Sequence, residues 1–133
     1  MEQPTLRHGL IDTDILIDAS RGLAQAGEFL NEMLAGDGVT VSVITAMELV
    51  VGCRDSAQLT NVKQLLASFT IAPVTEAISA RAQGLVETFS LSHRLLIPDA
   101  FVAAGALEAG IALYTRNTRH FRMIPELLII QPY

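Results

Sequence analysis

The sequence has no tryptophan and a single cysteine, Cys53. A lone thiol excludes an intrachain disulfide and any cysteine-rich zinc site, so Cys53 is expected to be a small buried apolar side chain. Lysine is almost as scarce. Lys63 is the only one, and every other member of the nine Lys+Arg positions is arginine. No uninterrupted apolar run approaches the ~20 residues that a membrane-spanning helix needs. The polar start, Met1 to Gly9, is followed by an apolar stretch broken by Asp12, Asp14 and Asp18, which leaves no uncharged core for a signal peptide. A cytoplasmic protein without membrane attachment is therefore expected. The phosphate-binding G-x-x-x-x-G-K, the nucleophile elbow G-x-S-x-G and the zinc helix H-E-x-x-H are all absent. His8, His93 and His120 are too scattered to read as a zinc set.

What remains is a chain of 133 residues, half of them hydrophobic and 17% charged, with a mean hydropathy of +0.40. That length suits one domain, read as residues 1–133. The composition argues against disorder and leaves apolar surface available for a partner. A net charge of −5 is not that of a general nucleic-acid coat protein. Its distribution matters more than its sum, because Arg116, Arg119 and Arg122 cluster near the C-terminus.

Strand and helix signals alternate. Gly9-Leu10-Ile11 is a short apolar run ending at Asp12, and residues 14–20 read as a short helix stopped near Gly22. Ala26, Phe29, Leu30, Met33 and Leu34 follow helical spacing before Gly36 and Gly38. The β-branched run from Val39 to Val43 predicts a strand leading into a helix over 44–53 that carries Glu48. Leu59, Val62, Leu65, Leu66 and Phe69 predict an amphipathic helix over 56–68, and residues 70–73 a brief strand. Ile78, Ala82, Leu85 and Phe89 form one stripe of the longest helix. A small-residue helix follows Pro98-Asp99, and strands are expected at 112–115 and 127–130. Such alternation points to an α/β fold, a parallel sheet of four to five strands covered on both faces.

Four acids stand out. Asp12 ends an apolar strand, Asp14 opens the next helix, Glu48 lies within the apolar run ITAMELVVG, and Asp99 precedes an almost wholly apolar helix. An ionised carboxylate is costly to desolvate unless paired, hydrogen-bonded or bound to metal. Ligands of parallel sheets bind beyond the carboxyl ends of the strands, where Asp12, Glu48 and Asp99 can all reach one cleft. A hard divalent cation, Mg²⁺ or Mn²⁺, is the simplest shared counter-charge. Plain alternatives exist for each residue alone: Asp12, Thr13 and Asp14 as helix caps, and Asp99 as a first-turn acid favoured by the helix dipole.

LIDTDILID, the run from Ser42 to Leu49, IPDAFVAAGAL and TRNTRHF together resemble the PIN-domain family, and among its members the VapC-type toxins of toxin–antitoxin pairs. The resemblance spans nearly the whole chain with the blocks in the family's order. It implies a three-layer α/β/α endoribonuclease in which Asp12, Glu48 and Asp99 are the metal-binding, catalytic acids. Asp14 matches a position beside the metal. Asn117 falls where many relatives carry a fourth acid, and His120 stands where relatives often have Asp or Glu, so one ion is expected to bind more tightly than a second. Thr13 and Thr115 are candidate phosphate donors or caps, and Arg116, Arg119 and Arg122 candidate RNA contacts. The resemblance also implies a homodimer masked by a cognate antitoxin on apolar surface of the short helices after Asp14 and Glu48. Receiver domains and haloacid-dehalogenase-type phosphatases gather similar acids but want a late lysine, which this chain lacks. A PIN-like module that binds RNA or protein with little turnover is the non-enzymatic alternative.

Overall fold

The computed structural model describes residues 8–133, so the first seven residues of the expected 1–133 domain, polar as they are, lie outside the described residues. Five short strands, β1 (Gly9–Ile11), β2 (Thr40–Ser42), β3 (Thr70–Ala72), β4 (Ala112–Tyr114) and β5 (Ile129–Ile130), form one sheet in the order β3-β2-β1-β4-β5. Every pairing is parallel. The helices are α1 (Thr13–Ser20), α2 (Ala24–Ala35), α3 (Val43–Val51), α4 (Ser56–Ala67), α5 (Glu76–His93) and α6 (Ile97–Ala109). The expected α/β class and three-layer arrangement are what the chain adopts.

Adjacent strand residues point to opposite faces, and the sheet uses this to build two cores. Leu10 and Leu113 join Ile78, Ala82 and the alanines of α6 on one side. Ile11, Val41 and Tyr114 join Ile15, Leu16, Phe29, Leu30 and Met33 of α1 and α2 on the other. The small face of α6 lets it lie close to β1: a Cβ added at Gly105 would come within 3.5 Å of the Leu10 side chain.

Two local expectations are corrected. The strand expected from Val39 to Val43 is confined to Thr40–Ser42, because the Ser42 hydroxyl accepts the Ile44 N–H at 3.1 Å and caps α3, drawing Val43 into the helix. Cys53 is half-buried just beyond α3, its thiol donating to the Leu49 carbonyl at 3.4 Å, and is not a core residue. The helix expected over 56–68 forms as α4, and its Leu65 and Leu66 pack against the edge of the second core.

β1 occupies the centre, with β2 and β4 on either side of it. From β1 the chain moves to β2 and β3 in one direction, and from β4 to β5 in the other. The crevice past the ends of β1 and β4 is therefore the switch point at which parallel α/β sheets place their ligands.

Gly9 shows how closely these two strands are packed. A Cβ there would meet the Ala112 carbonyl oxygen at 2.7 Å and the Tyr114 ring at 2.7 Å. The Tyr114 ring is itself held against Phe29, with centroids 5.0 Å apart. Alanine ordinarily gains ~0.5–1 kcal/mol over glycine in a strand, but a clash with paired backbone outweighs that. Gly9→Ala is expected to destabilise the fold by about 1–3 kcal/mol, read as a lower urea midpoint with an unchanged slope. A midpoint at or above wild type would refute the contact.

Candidate active site

Asp12 follows β1 directly and caps α1. Its backbone N–H donates to the Tyr114 carbonyl at 2.9 Å, which extends the β1–β4 ladder by one step. The side chain is only 6% exposed. One carboxylate oxygen accepts the Thr13 N–H at 2.9 Å, and the other accepts the Thr115 hydroxyl at 2.9 Å. Burial lifts the Asp12 carboxyl from 3.8 to about 7, and the Asp14 charge pushes the same way. The bonds from Thr115 and Thr13 oppose that shift, while Asp99 adds to it.

Asp99 enters the crevice from the first turn of α6. Pro98 occupies that turn as well, where a missing N–H costs nothing. Its carboxyl is also raised, first by burial; His120 opposes the rise, and Glu48 and Asp14 add to it. The His120 Nδ1 lies 3.4 Å from Asp99 Oδ2. Asp12, Asp14, Glu48 and Asp99 thus act on one another electrostatically.

Glu48 differs from its expectation. Its apolar sequence context suggested a desolvated acid, but the side chain is exposed. Its neighbours are the unusual ones, with Met47 51% and Val51 83% exposed. Glu48 is held in place from α1, where the Thr13 hydroxyl donates to its Oε1 at 2.7 Å. That hydroxyl also approaches Thr45 Oγ1 at 3.2 Å.

Among the described residues, no three carboxylate, imidazole or thiol groups already converge into a metal cage. The reason is visible in the hydrogen bonds: Glu48 is drawn to Thr13, and Asp14 to backbone N–H groups beyond β4. The donor set nonetheless fits a hard divalent cation. It consists of carboxylate oxygens, and the neighbouring carboxylates add to the raised proton affinity of Asp12 and of Asp99. Among the described residues, no lysine or arginine is ion-paired with Asp12, Glu48 or Asp99. A cavity of about 680 Å³ runs along β2 and β3 beside α6 and is lined by none of these acids.

The PIN domain family matches residues 9–127. The chain belongs to that family. Curated PIN-family relatives include "Ribonuclease VapC10" of Mycobacterium tuberculosis, 35% identical over 119 residues that cover 89% of each chain. "Ribonuclease VapC19" of the same organism is 33% identical over 120 residues, covering 89% of this chain and 95% of that one. Among solved structures, a toxin–antitoxin complex from Klebsiella pneumoniae has a chain 32% identical, with a TM-score of 0.78 and coverage of 95% and 98%. DNA-bound VapBC from Salmonella typhimurium matches at a TM-score of 0.79 with 20% identity, covering 93% and 97%, a likeness of fold.

Within this PIN fold, Thr115 is fully buried and its hydroxyl faces Asp12 Oδ2 at 2.9 Å and, more distantly, Asp14 Oδ2 at 3.4 Å. The Thr13 hydroxyl likewise faces Glu48. The Asn117 N–H donates to Asp14 Oδ2 at 3.1 Å and to Thr115 Oγ1 at 3.0 Å. Arg119 and Arg122 are exposed, whereas the Arg116 guanidinium lies 3.4 Å from Asp18 and 4.8 Å from the Tyr133 ring centre. Reading the sequence missed Thr45, Asp18 and Tyr133 as members of this neighbourhood. Asp18 was detectable as an acid one helical turn after Asp14; for Tyr133 there was no local signal.

The raised Asp12 carboxyl sets a pH dependence. The folded protein holds this proton up to about pH 7, while the unfolded chain releases it near 3.8. The associated stability is complete below the unfolded value and is lost as pH rises through the folded one. In metal-free protein the Asp12→Asn variant should gain in stability over wild type as pH climbs from about 4 to about 7, by an amount on the order of a few kcal/mol, read as a rising difference in melting temperature. Parallel profiles for the two proteins across that window would exclude a proton-holding Asp12.

Proposed function

We propose that this chain is an endoribonuclease that hydrolyses RNA phosphodiester bonds with Mg²⁺ or Mn²⁺, acting as one domain over residues 1–133. The carrying observation is a buried carboxylate, Asp12, sharing the strand-end crevice with Asp99 and Glu48, with no lysine or arginine ion-paired to them among the described residues. The curated names of its PIN-family relatives support RNA as the substrate.

Asp12, Glu48 and Asp99 would hold the cation, which when bound polarises a phosphoryl oxygen and lowers the pKa of a coordinated water. The protein's own part is positional. Thr13 and Thr115 fix both oxygens of Asp12, and burial keeps solvent from competing for them. Glu48 is the adjustable member, exposed and, among the described residues, tethered through the Thr13 hydroxyl. A carboxylate of this set can orient or deprotonate the attacking water. Arg119 and Arg122 stand exposed beyond β4, suited to phosphate through their planar forks. Asn117 contributes no charge, so one tightly held ion is the resting state.

The relatives found in toxin–antitoxin complexes support reading this protein as the toxin of such a pair, dimeric and acting on cytoplasmic RNA. The antitoxin surface expected on the helices after Asp14 and Glu48 is supported only for α3. Ile15 and Leu16 of α1 are fully buried, whereas Met47, Val50 and Val51 of α3 face solvent beside the acids. Among the described residues no helix is long and apolar enough to cross a membrane.

Purified protein should cleave single-stranded RNA with Mg²⁺ or Mn²⁺ and stop when the ion is chelated. Asp12→Asn and Asp99→Asn should each lower the rate by roughly a hundredfold or more, beyond what loss of an outer-shell partner costs. RNA that is bound but cut equally by wild type and both variants would overturn the assignment.

A further inference from the structure

Asp14 differs from the other acids of the crevice in how its oxygens are used. Oδ1 accepts the Ile15 N–H at 2.8 Å. Oδ2 accepts the N–H groups of Arg116 at 2.8 Å and Asn117 at 3.1 Å, with the Thr115 hydroxyl at 3.4 Å. Successive backbone N–H groups aimed at one anionic oxygen make a nest, and an oxygen so engaged has little left to offer a cation. The same turn presents the Thr115 hydroxyl to Asp12 Oδ2 at 2.9 Å. The turn is tied down from its outer side as well: Arg116 pairs with Asp18 and lies over Tyr133, whose hydroxyl donates to Asp18 at 2.8 Å.

We propose that Asp14 is a positioning residue and not a metal ligand: it clamps the turn at Thr115, Arg116 and Asn117 to α1, and through Thr115 orients Asp12. Arg116 then belongs to the clamp, and phosphate contact from this side falls to Arg119 and Arg122. The metal arm of the test rests on the ribonuclease reading; the clamp itself does not.

The two roles predict opposite signs for Asp14→Asn in metal-free protein. Removing one of several crowded ligand carboxylates relieves repulsion and raises the melting temperature. Removing a clamp lowers it, because the new NH₂ group faces N–H donors that the carboxylate satisfied. We expect a fall on the order of 5 °C, and a larger one for Asp14→Ala. Mn²⁺ titration of RNA-free protein, followed by electron paramagnetic resonance well below the melting transition, should show affinity weakened about tenfold yet still measurable in Asp14→Asn. In Asp12→Asn it should be lost. A raised or unchanged melting temperature, an unaltered Mn²⁺ affinity, or complete loss of Mn²⁺ binding in Asp14→Asn would each overturn the clamp. If wild type itself binds no Mn²⁺, the ribonuclease reading fails, and the sign of the melting shift alone then decides the clamp.

Discussion

The Asp12 carboxylate lies where the central strand of a parallel sheet runs out, almost sealed from solvent, and much of the crevice is arranged around the cost of keeping it there. A lone buried carboxylate is strongly disfavoured unless it is protonated, hydrogen-bonded or matched by a cation. Two of these responses are present in the side chains. The carboxyl holds its proton to about pH 7, and both oxygens have donors, one from the start of α1 and one from the end of β4. The third response is the one a divalent cation supplies, and the adjoining acids make that demand larger.

The bond from Thr115 to Asp12 joins residues far apart in sequence across the β1–β4 pair, at the sheet's switch point. Strand packing therefore becomes site geometry. Gly9 permits close approach of Tyr114, Tyr114 sets the end of β4, and Thr115 follows at once with its hydroxyl turned inward. A similar link runs through Thr13, which caps nothing itself but joins Glu48 of α3 to α1. The Thr115 hydroxyl is internal, and the hydroxyl of half-buried Thr13 is bonded to Glu48. Their role is to orient carboxylates, and the outward-facing chemistry is left to the acids and to the exposed arginines.

The relatives and the geometry bear on different parts of the functional reading. Family membership supports the reaction class and the toxin role, because a fold alone hosts many functions. The geometry separates the acids into kinds: a buried one fixed by two donors, an exposed one bonded to the Thr13 hydroxyl, one facing an imidazole, and one with an oxygen held by two backbone N–H groups. Residues that look equivalent as letters are not equivalent as ligands.

Most of the fold was legible in the chain, because periodicity and punctuation are local. The apolar run ending at Ile11, the glycines after α2 and α6, and Pro98 in the first turn of α6 mark element ends through backbone preferences that need no tertiary partner. Asp12, Asp14, Glu48 and Asp99 were likewise legible, as acids in apolar surroundings. What the letters did not contain was direction. Whether Glu48 is buried or exposed, whether Thr115 meets phosphate or Asp12, and whether Arg116 faces RNA or Tyr133 depends on which distant segment lies opposite. The sheet order and the packing of α1 against the turn after β4 settle these pairings, and no local pattern encodes them. The sequence by itself determined the elements and the identity of the acids; the tertiary structure decided which hydrogen-bond donors each acid meets.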